Sequence, residues 1–178
     1  MLRINFYGGP CVGKSTLAAR VYAELNRTQR VPTELVREFV KSWAYEGRRL
    51  DVFDQVFTFA NQLWNEHRLF KASVKVIVTD SPILLQCVYT RRLDASIASY
   101  LAVIAQEYER THPSLSFLVE RGETPFNSFG RYQESQQARD LDAEIKGYLN
   151  AGHVPYLAVT LDQWETIIQT VKEAVYSS

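Results

Sequence analysis

The segment Gly-Gly-Pro-Cys-Val-Gly-Lys-Ser at residues 8–15 constrains this chain more than any other feature. It fits the pattern G-x-x-x-x-G-K-[ST]. The apolar stretch Leu2–Tyr7 precedes it, and Leu17, Val21 and Leu25 recur every four residues after it. The first stretch predicts a buried strand, and the second predicts a helix with one buried face. This motif is a specific signal when a strand precedes it and a helix follows it. We therefore predict a phosphate-binding loop.

Each residue type in this loop has a chemical reason to be there. Glycines let backbone N–H groups turn toward phosphate oxygens, and the following helix adds positive potential at its N-terminus. Lys14 is predicted to reach the β- and γ-phosphates, and Ser15 is predicted to ligate Mg²⁺. Cys11 is interpreted as a spacer within the loop and not as a nucleophile. The predicted nucleotide-binding residues are Gly8, Gly9, Pro10, Cys11, Val12, Gly13, Lys14, Ser15, Thr16 and Arg139.

The rest of the chain alternates between strand-like and helix-like segments. Four further strands are predicted at Thr33–Val36, Val74–Thr79, Leu115–Val119 and Tyr156–Thr160. Helices are predicted at residues 51–70, 83–90, from 94, from 134 to 149, and after a cap formed by Asp162 and Glu165. Alternating strands and helices imply right-handed crossovers and a parallel sheet covered on both faces. The predicted fold is therefore a three-layer α/β/α sandwich around a five-stranded parallel sheet.

Two helices carry apolar stripes that we expect to face the core. The stripe of the long helix consists of Phe53, Val56, Phe57, Ala60, Leu63 and Trp64. The stripe of the helix from 94 consists of Ile97, Leu101, Ile104 and Tyr108. Residues 120–133 lack periodicity and contain glycine, proline, asparagine and serine, so we predict a lid loop there.

Length and composition limit the class of protein. The 178 residues suit one domain spanning 1–178, and 46% apolar with 22% charged residues excludes disordered and fibrous classes. No apolar run approaches the roughly 18 residues of a membrane span, so we expect a cytoplasmic protein with no membrane partner. Two cysteines and three scattered histidines predict neither a disulfide scaffold nor a zinc site.

The net charge is zero, but its distribution is uneven. Residues 1–92 contain 14 Lys and Arg against 8 Asp and Glu, whereas residues 93–178 contain 6 against 12. The first half is expected to attract anions, although chance asymmetry on a solvated surface is an alternative. A phosphate ligand is favoured over a long nucleic acid, because a duplex binder usually has a net basic surface.

Two carboxylates are candidate catalytic groups. Asp80 ends a predicted buried strand, at the edge where ligands collect in open α/β sheets. It could hold Mg²⁺ or take a proton from an acceptor, and the alternative is that it caps the turn before Pro82. Glu38 follows the second strand and could act as base, or it could only satisfy a helix N-terminus.

Arginines and aromatic residues complete the candidate site. Arg121 and Arg131 lie in the predicted lid, where closure would bring them onto charge that develops in the transition state; exposed loop arginine is the alternative. Trp43 is predicted to stack on an acceptor base. Phe57 could join it, although we expect Tyr45, Phe53, Phe57 and Trp64 each to belong to the core.

These residues resemble small P-loop kinases related to the ribosylnicotinamide kinase domain of a bifunctional NAD-biosynthesis regulator, a group with many phage-encoded members. The resemblance covers most of the chain and is carried by Gly8–Thr16, by Glu-Phe-Val-Lys at 38–41, and by Val-Thr-Asp-Ser-Pro at 78–82. It implies a P-loop kinase that uses ATP and Mg²⁺ in nucleotide metabolism. Glu38 and Trp43 also resemble the Glu-x4-Trp of deoxyribonucleoside kinases, which implies a base and a pocket wall. Ser81 stands where those kinases have arginine, and Arg37 is the candidate substitute.

Three functions follow as hypotheses. The first is transfer of the γ-phosphoryl group of ATP to a hydroxyl of a nucleoside, nucleotide or related small molecule. In the second, the acceptor is a 5-hydroxymethylated pyrimidine base in DNA. The third is a nucleotide-dependent switch or ATPase, which the absence of Asn-Lys-x-Asp and of Asp-x-x-Gly after the third strand disfavours. Whether the chain forms a homodimer stays open.

Overall fold

The computed structural model describes residues 1–28, 30–122 and 135–176. Its five strands form one sheet in the order β2-β3-β1-β4-β5, and every neighbouring pair is parallel. The strands are β1 (Leu2–Tyr7), β2 (Thr33–Val36), β3 (Val76–Thr79), β4 (Ser114–Val119) and β5 (Leu157–Val159). The predicted parallel five-stranded sheet is confirmed, and the bounds of β1 and β2 match the prediction at both ends.

Seven α-helices connect and cover the strands in the described part of the chain. They are α1 (Lys14–Thr28), α2 (Lys41–Tyr45), α3 (Val52–Lys71), α4 (Ile83–Arg91), α5 (Ala95–Thr111), α6 (Ser135–Ala151) and α7 (Trp164–Tyr176). The five-residue helix α2 was not predicted. None of the described helices is long and apolar enough to cross a membrane.

Helices α1 and α7 cover one face of the sheet. Alternate residues of the strands point to this side, including Ile4 and Phe6 of β1 and Phe117 of β4. They pack against the predicted stripe of α1 and against Ile168 and Val171 of α7. The ring of Phe6 stacks on that of Phe117 at 5.3 Å between centroids. This layer places the N-terminus of α1 at the carboxyl edge of β1.

Helices α3, α4, α5 and α6 cover the opposite face, with α4 at the centre. Seven of the nine residues of α4 are buried, so this helix is surrounded on nearly all sides. Its apolar residues pack with Tyr7 and Leu118 from the sheet, Leu101 from α5, and Leu141 from α6. Burial raises the pKa of the Cys87 thiol in α4 to about 12, so this cysteine stays protonated and unreactive.

Three predicted boundaries were wrong, each for a local reason. Strand β3 begins at Val76 and not at Val74, because the Val74 N–H donates to the carbonyl of Leu69 at the end of α3. Strand β5 is shorter than predicted because it is an edge strand with β4 as its one neighbour. The observed capping box is formed by Thr160 and Gln163 around the 3₁₀ turn Leu161–Gln163 that runs into α7, and not by Asp162 and Glu165.

The buried stripe predicted for α3 is confirmed only for Val56 and Leu63, which pack against the core, whereas its other residues are exposed. Phe53 and Trp64 are 71% and 59% exposed, and Tyr45 and Phe57 are exposed as well. The buried residues of α3 are instead mostly polar: Gln55, Thr58, Phe59, Gln62 and Glu66. Periodicity detects an apolar face, but it does not show which side of the helix faces the sheet. The polar side of α3 faces β3, so most of its apolar stripe lies on the outside.

The polar face of α3 is satisfied by hydrogen bonds to the sheet. Gln62 donates from Nε2 to Glu66 Oε1 at 2.8 Å and to Thr79 Oγ1 at 3.1 Å. The buried guanidinium of Arg3 contacts Glu66 Oε2 at 3.4 Å and Glu109 Oε2 at 2.6 Å. Burial nevertheless raises the pKa of Glu66. Because buried polar groups need partners, this network fixes which side of α3 faces β3.

The stripe predicted for α5 is confirmed in part. Leu101 and Tyr108 are buried, and Ile97 packs against the core. Ile104 is exposed, because the core-facing side of α5 consists of the small residues Ala98 and Ala105 with Leu101 and Tyr108. Asp94 caps this helix by accepting from the Ile97 N–H, which agrees with the predicted start.

Candidate nucleotide and acceptor site

The segment at residues 8–15 forms a tight turn from β1 into α1, as predicted. Gly8 has φ of +136° and Gly13 has φ of +100°, where side chains are rarely tolerated. A Cβ at Gly8 would lie 2.7 Å from the carbonyl oxygen of Val119 on β4. Cys11, within the loop, also has a positive φ of 65°. The loop therefore depends on its glycines both for conformation and for close packing against β4.

Lys14 folds back over the loop. Its Nζ donates to the carbonyl of Gly9 at 2.7 Å, which holds the ammonium on the loop's own side of the helix. Ser15 is half-buried and Thr16 is exposed in the first turn of α1. Helix α1 begins here, and the N-terminus of a helix favours an anion. The ammonium of Lys14 and the N-terminus of α1 therefore lie at the same loop.

Arg121, at the end of β4, lies against the loop. Its Nη2 donates to the carbonyl of Pro10 at 2.8 Å, and its Nε donates to Asp142 of α6 at 2.7 Å. Arg121 therefore contacts the loop directly, and its predicted catalytic role stays a prediction. Arg139 lies on α6 and is exposed. Arg131 and nearly all of the predicted lid lie outside the described residues.

A cavity of about 690 Å³ adjoins the loop on the side of α7. It is lined by Val12 and Thr16 from the loop and α1, by Arg121, and by residues after β5 such as Asp162 and Trp164. The guanidinium of Arg20 stacks on the ring of Trp164 at 4.6 Å from its centroid. This volume suits a small molecule with a flat ring.

Sequence reasoning missed this wall of the site. Leu161 packs so closely on the loop that a Cβ at Gly13 would lie 2.8 Å from its Cδ1. The sequence pattern of residues 160–164 predicts only a strand end and a helix cap. Its position at the carboxyl edge of a parallel strand was the available signal, because ligands collect at that edge.

Asp80 and Glu38 are brought together at the ends of the neighbouring strands β3 and β2. The backbone N–H of Glu38 donates to Asp80 Oδ1 at 3.0 Å, and Asp80 is almost fully buried. The adjacent Ser81 is buried and accepts from Gln86 Nε2 at 2.6 Å. Arg37 is exposed. The predicted pair of carboxylates thus shares one rim of the sheet.

Trp43 belongs to an aromatic cluster beside Glu38. Its ring lies 5.7 Å from that of Phe57 with an interplanar angle of 23°, and 5.1 Å from that of Phe39 at 80°. The guanidinium of Arg48 lies over the same Trp43 ring at 4.0 Å from the centroid, and Arg48 is ion-paired with Asp54. Trp43 therefore already has stacking partners, and its contact with Arg48 was not predicted from the sequence.

Comparison with known proteins places the fold. Residues 3–166 match the AAA domain family. The chain superposes on a crystal structure of NadR protein in complex with NAD and AMP-PNP with a TM-score of 0.74 and 12% identity. It superposes on NadR protein in complex with NR with a TM-score of 0.72 and 13% identity. None of the curated proteins matches the sequence.

These superpositions cover 98% and 97% of this chain but only 49% and 50% of the NadR chains. The chain therefore spans about half the length of those proteins. At such low identity the likeness concerns the fold, which is that of a P-loop NTPase similar to NadR. With the family match extending over residues 3–166, the chain belongs to the AAA domain family of P-loop proteins.

Proposed function

We propose that this protein transfers the γ-phosphoryl group of ATP to a hydroxyl group of a nucleoside, nucleotide or related small molecule. The observation that carries the proposal is the pairing of a phosphate-binding loop with two carboxylates at one edge of the sheet. Lys14 marks the donor side, and Asp80 and Glu38 mark the acceptor side. The likeness to NadR in complex with AMP-PNP supports ATP as donor.

The donor would bind with its phosphates on the N-terminus of α1 and its base in the cavity beside Trp164. Lys14 would neutralise charge on the β- and γ-phosphates, with Arg121 and Arg131 adding cationic charge. Ser15 and Asp80 offer the hard oxygen ligands that Mg²⁺ prefers, and the metal would supply charge neutralisation there. The hydrogen bond from Glu38 engages Asp80 Oδ1, which leaves Oδ2 as the oxygen to offer.

Glu38 would act as the base, with Asp80 as the alternative. Its carboxylate would take the proton of the acceptor hydroxyl as the acceptor oxygen bonds to the γ-phosphorus. The bond from that phosphorus to the β–γ bridging oxygen breaks, and ADP leaves. Holding the two reactants in line supplies much of the acceleration. Arg37, Trp43 and Phe57 would hold the acceptor beside Asp80 and Glu38.

A screen with γ-labelled ATP tests this proposal. The acceptors are nucleosides, nucleotides, nicotinamide riboside, and DNA that contains hydroxymethylated pyrimidines. Lys14→Ala should lower transfer by about 10²–10³ or more, because it removes a cation aimed at phosphate charge. Lys71→Ala, at an exposed position at the end of α3, is the matched control. Lys14→Ala activity within threefold of wild type would contradict the proposal.

A base in DNA is the second candidate acceptor, and one observation favours it. The exposed Phe57 of α3 lies against Trp43, the guanidinium of Arg48 lies over the same Trp43 ring, and the next residue, Arg49, is exposed. Aromatic rings next to cations suit single-stranded nucleic acid. Transfer to DNA should fall steeply and log-linearly as salt rises, whereas transfer to a small acceptor should depend only modestly on salt. We propose the cytoplasm as the place of either reaction.

A further inference from the structure

Asp142 of α6 makes direct contact with the phosphate-binding loop. Its Oδ1 accepts from the backbone N–H of Gly9 at 2.9 Å. The same carboxylate accepts from Arg121, at 2.7 Å from Nε to Oδ2 and at 3.2 Å from Nη2 to Oδ1. Arg121 Nη2 in turn donates to the carbonyl of Pro10 at 2.8 Å. Asp142 and Arg121 together therefore hold the start of the loop, through the N–H of Gly9 and the carbonyl of Pro10.

The glycine at position 9 is explained by this contact. Position 9 is a free position in the motif, and Gly9 does not have a positive φ. A Cβ there would lie 2.2 Å from Asp142 Oδ1 and 3.1 Å from the carbonyl oxygen of Ala138. Any side chain there would displace the Asp142 carboxylate or move α6 away from the loop. The sequence thus has glycine at this position because Asp142 approaches the backbone so closely.

The contact continues to the principal cation of the site. The carbonyl of Gly9 accepts from Lys14 Nζ at 2.7 Å, while the N–H of the same residue is held by Asp142. A displacement of Gly9 would therefore move the acceptor that orients Lys14. Asp142 and Arg121 are only 25% and 18% exposed, so water screens their ion pair less than a surface pair.

We propose that Asp142 is a positioning residue for nucleotide binding, acting through Gly9 on Lys14, with Arg121 as its partner. This proposal rests on the function proposed above. It assigns to Arg121 a contact with the loop, in addition to any contact that it makes with phosphate. Asp142 itself touches neither substrate nor metal in this role. Its effect is to fix the loop in the shape that meets the phosphates.

The test measures binding of a fluorescent, non-hydrolysable ATP analogue with Mg²⁺ by titration. Asp142→Ala removes an acceptor of a backbone N–H and the partner of a charged side chain. It should weaken binding by about tenfold or more. Asp142→Asn keeps an oxygen that can accept from the Gly9 N–H but loses the ion pair with Arg121. Its affinity for the analogue should therefore lie between those of Asp142→Ala and wild type. Asp140→Ala is the matched control, because Asp140 lies on α6 and, within the described residues, its carboxylate accepts from Gln136 of the same helix.

A double-mutant cycle separates this role from a merely structural one. If Asp142 acts through Lys14, then Asp142→Ala combined with Lys14→Ala should bind little worse than Lys14→Ala alone. If the factors by which the two substitutions weaken binding multiply in the double variant, the proposal is overturned. It is also overturned if Asp142→Ala binds the analogue within twofold of wild type. Should Asp142→Ala fail to fold, the same cycle with Asp142→Asn decides the question.

The binding assay needs no acceptor, so it is independent of phosphoryl transfer. A wild-type protein that binds the analogue but transfers phosphate to no acceptor would contradict the proposed function and leave the Asp142 cycle interpretable. A wild-type protein that binds neither an ATP nor a GTP analogue would overturn both proposals. Thermal unfolding of each variant confirms that weaker binding does not reflect an unfolded fraction.

Discussion

Arg3 is expected to carry more of the stability of this fold than any exposed charge. Its guanidinium is fully buried and bonds to Glu66 at 3.4 Å, to Glu109 at 2.6 and 3.0 Å, and to the carbonyl of His112 at 2.9 Å. Arg3→Met keeps an apolar side chain of similar length but leaves Glu66 buried without a cation. Removing one partner of a buried pair costs about 3–5 kcal/mol, so we expect that loss at pH 7.

The loss should depend on pH with a definite sign. Burial already raises the pKa of Glu66 above its ordinary value of 4.5, and loss of the Arg3 charge should raise it further. A carboxyl whose pKa is raised on folding stabilises the protein only below its unfolded pKa, and that stability is lost as pH rises. The deficit of Arg3→Met should therefore be smallest near pH 4.5 and should grow toward neutral pH.

Urea unfolding followed by far-UV circular dichroism, from pH 4.5 to 8, measures the free energy of unfolding. Arg27→Met is the control, because Arg27 is 69% exposed and its pair with Glu24 should not contribute measurably. Adding Glu66→Gln to Arg3→Met should recover part of the loss at pH 7 and flatten the pH dependence. A deficit below about 1 kcal/mol, or one independent of pH, would refute the reasoning.

Three further predictions concern the candidate site. Asp80→Asn should weaken Mg²⁺-dependent ATP binding, measured by titration with and without the metal, and unchanged binding would remove Asp80 from the metal site. Glu38→Gln should leave ATP affinity unchanged and lower turnover by about 10²–10⁴ in a steady-state assay; normal turnover would move the base to Asp80. Gly13→Ala should destabilise the fold by about 1–3 kcal/mol in thermal unfolding, because its φ is +100° and Leu161 fills the space. Gly47→Ala, with a positive φ but open space, should cost less, and equal losses would contradict the role of Leu161.

The two sides of α3 show how an apolar pattern in the sequence can mislead. Phe53 and Trp64 form a regular apolar stripe, yet they face outward, whereas Gln62 and Glu66 face the sheet. The polar side of α3 becomes a candidate for the inner face only when Arg3 and Thr79 are known to be its hydrogen-bonding partners. Which side of α3 faces the sheet is decided by packing in three dimensions, and the sequence of one helix does not contain that information.

The sequence by itself determined the features that depend on neighbours along the chain. The loop at residues 8–15, the bounds of β1 and β2, and the place of Asp80 at a strand end all follow from local conformation and periodicity. The tertiary structure alone decided which distant groups meet that loop. Asp142 is 133 residues from Gly9, and Leu161 is 148 residues from Gly13, and no local pattern links them. Such contacts arise because a parallel sheet gathers the carboxyl ends of strands that are remote in sequence, and the helices that follow those strands pack around that edge.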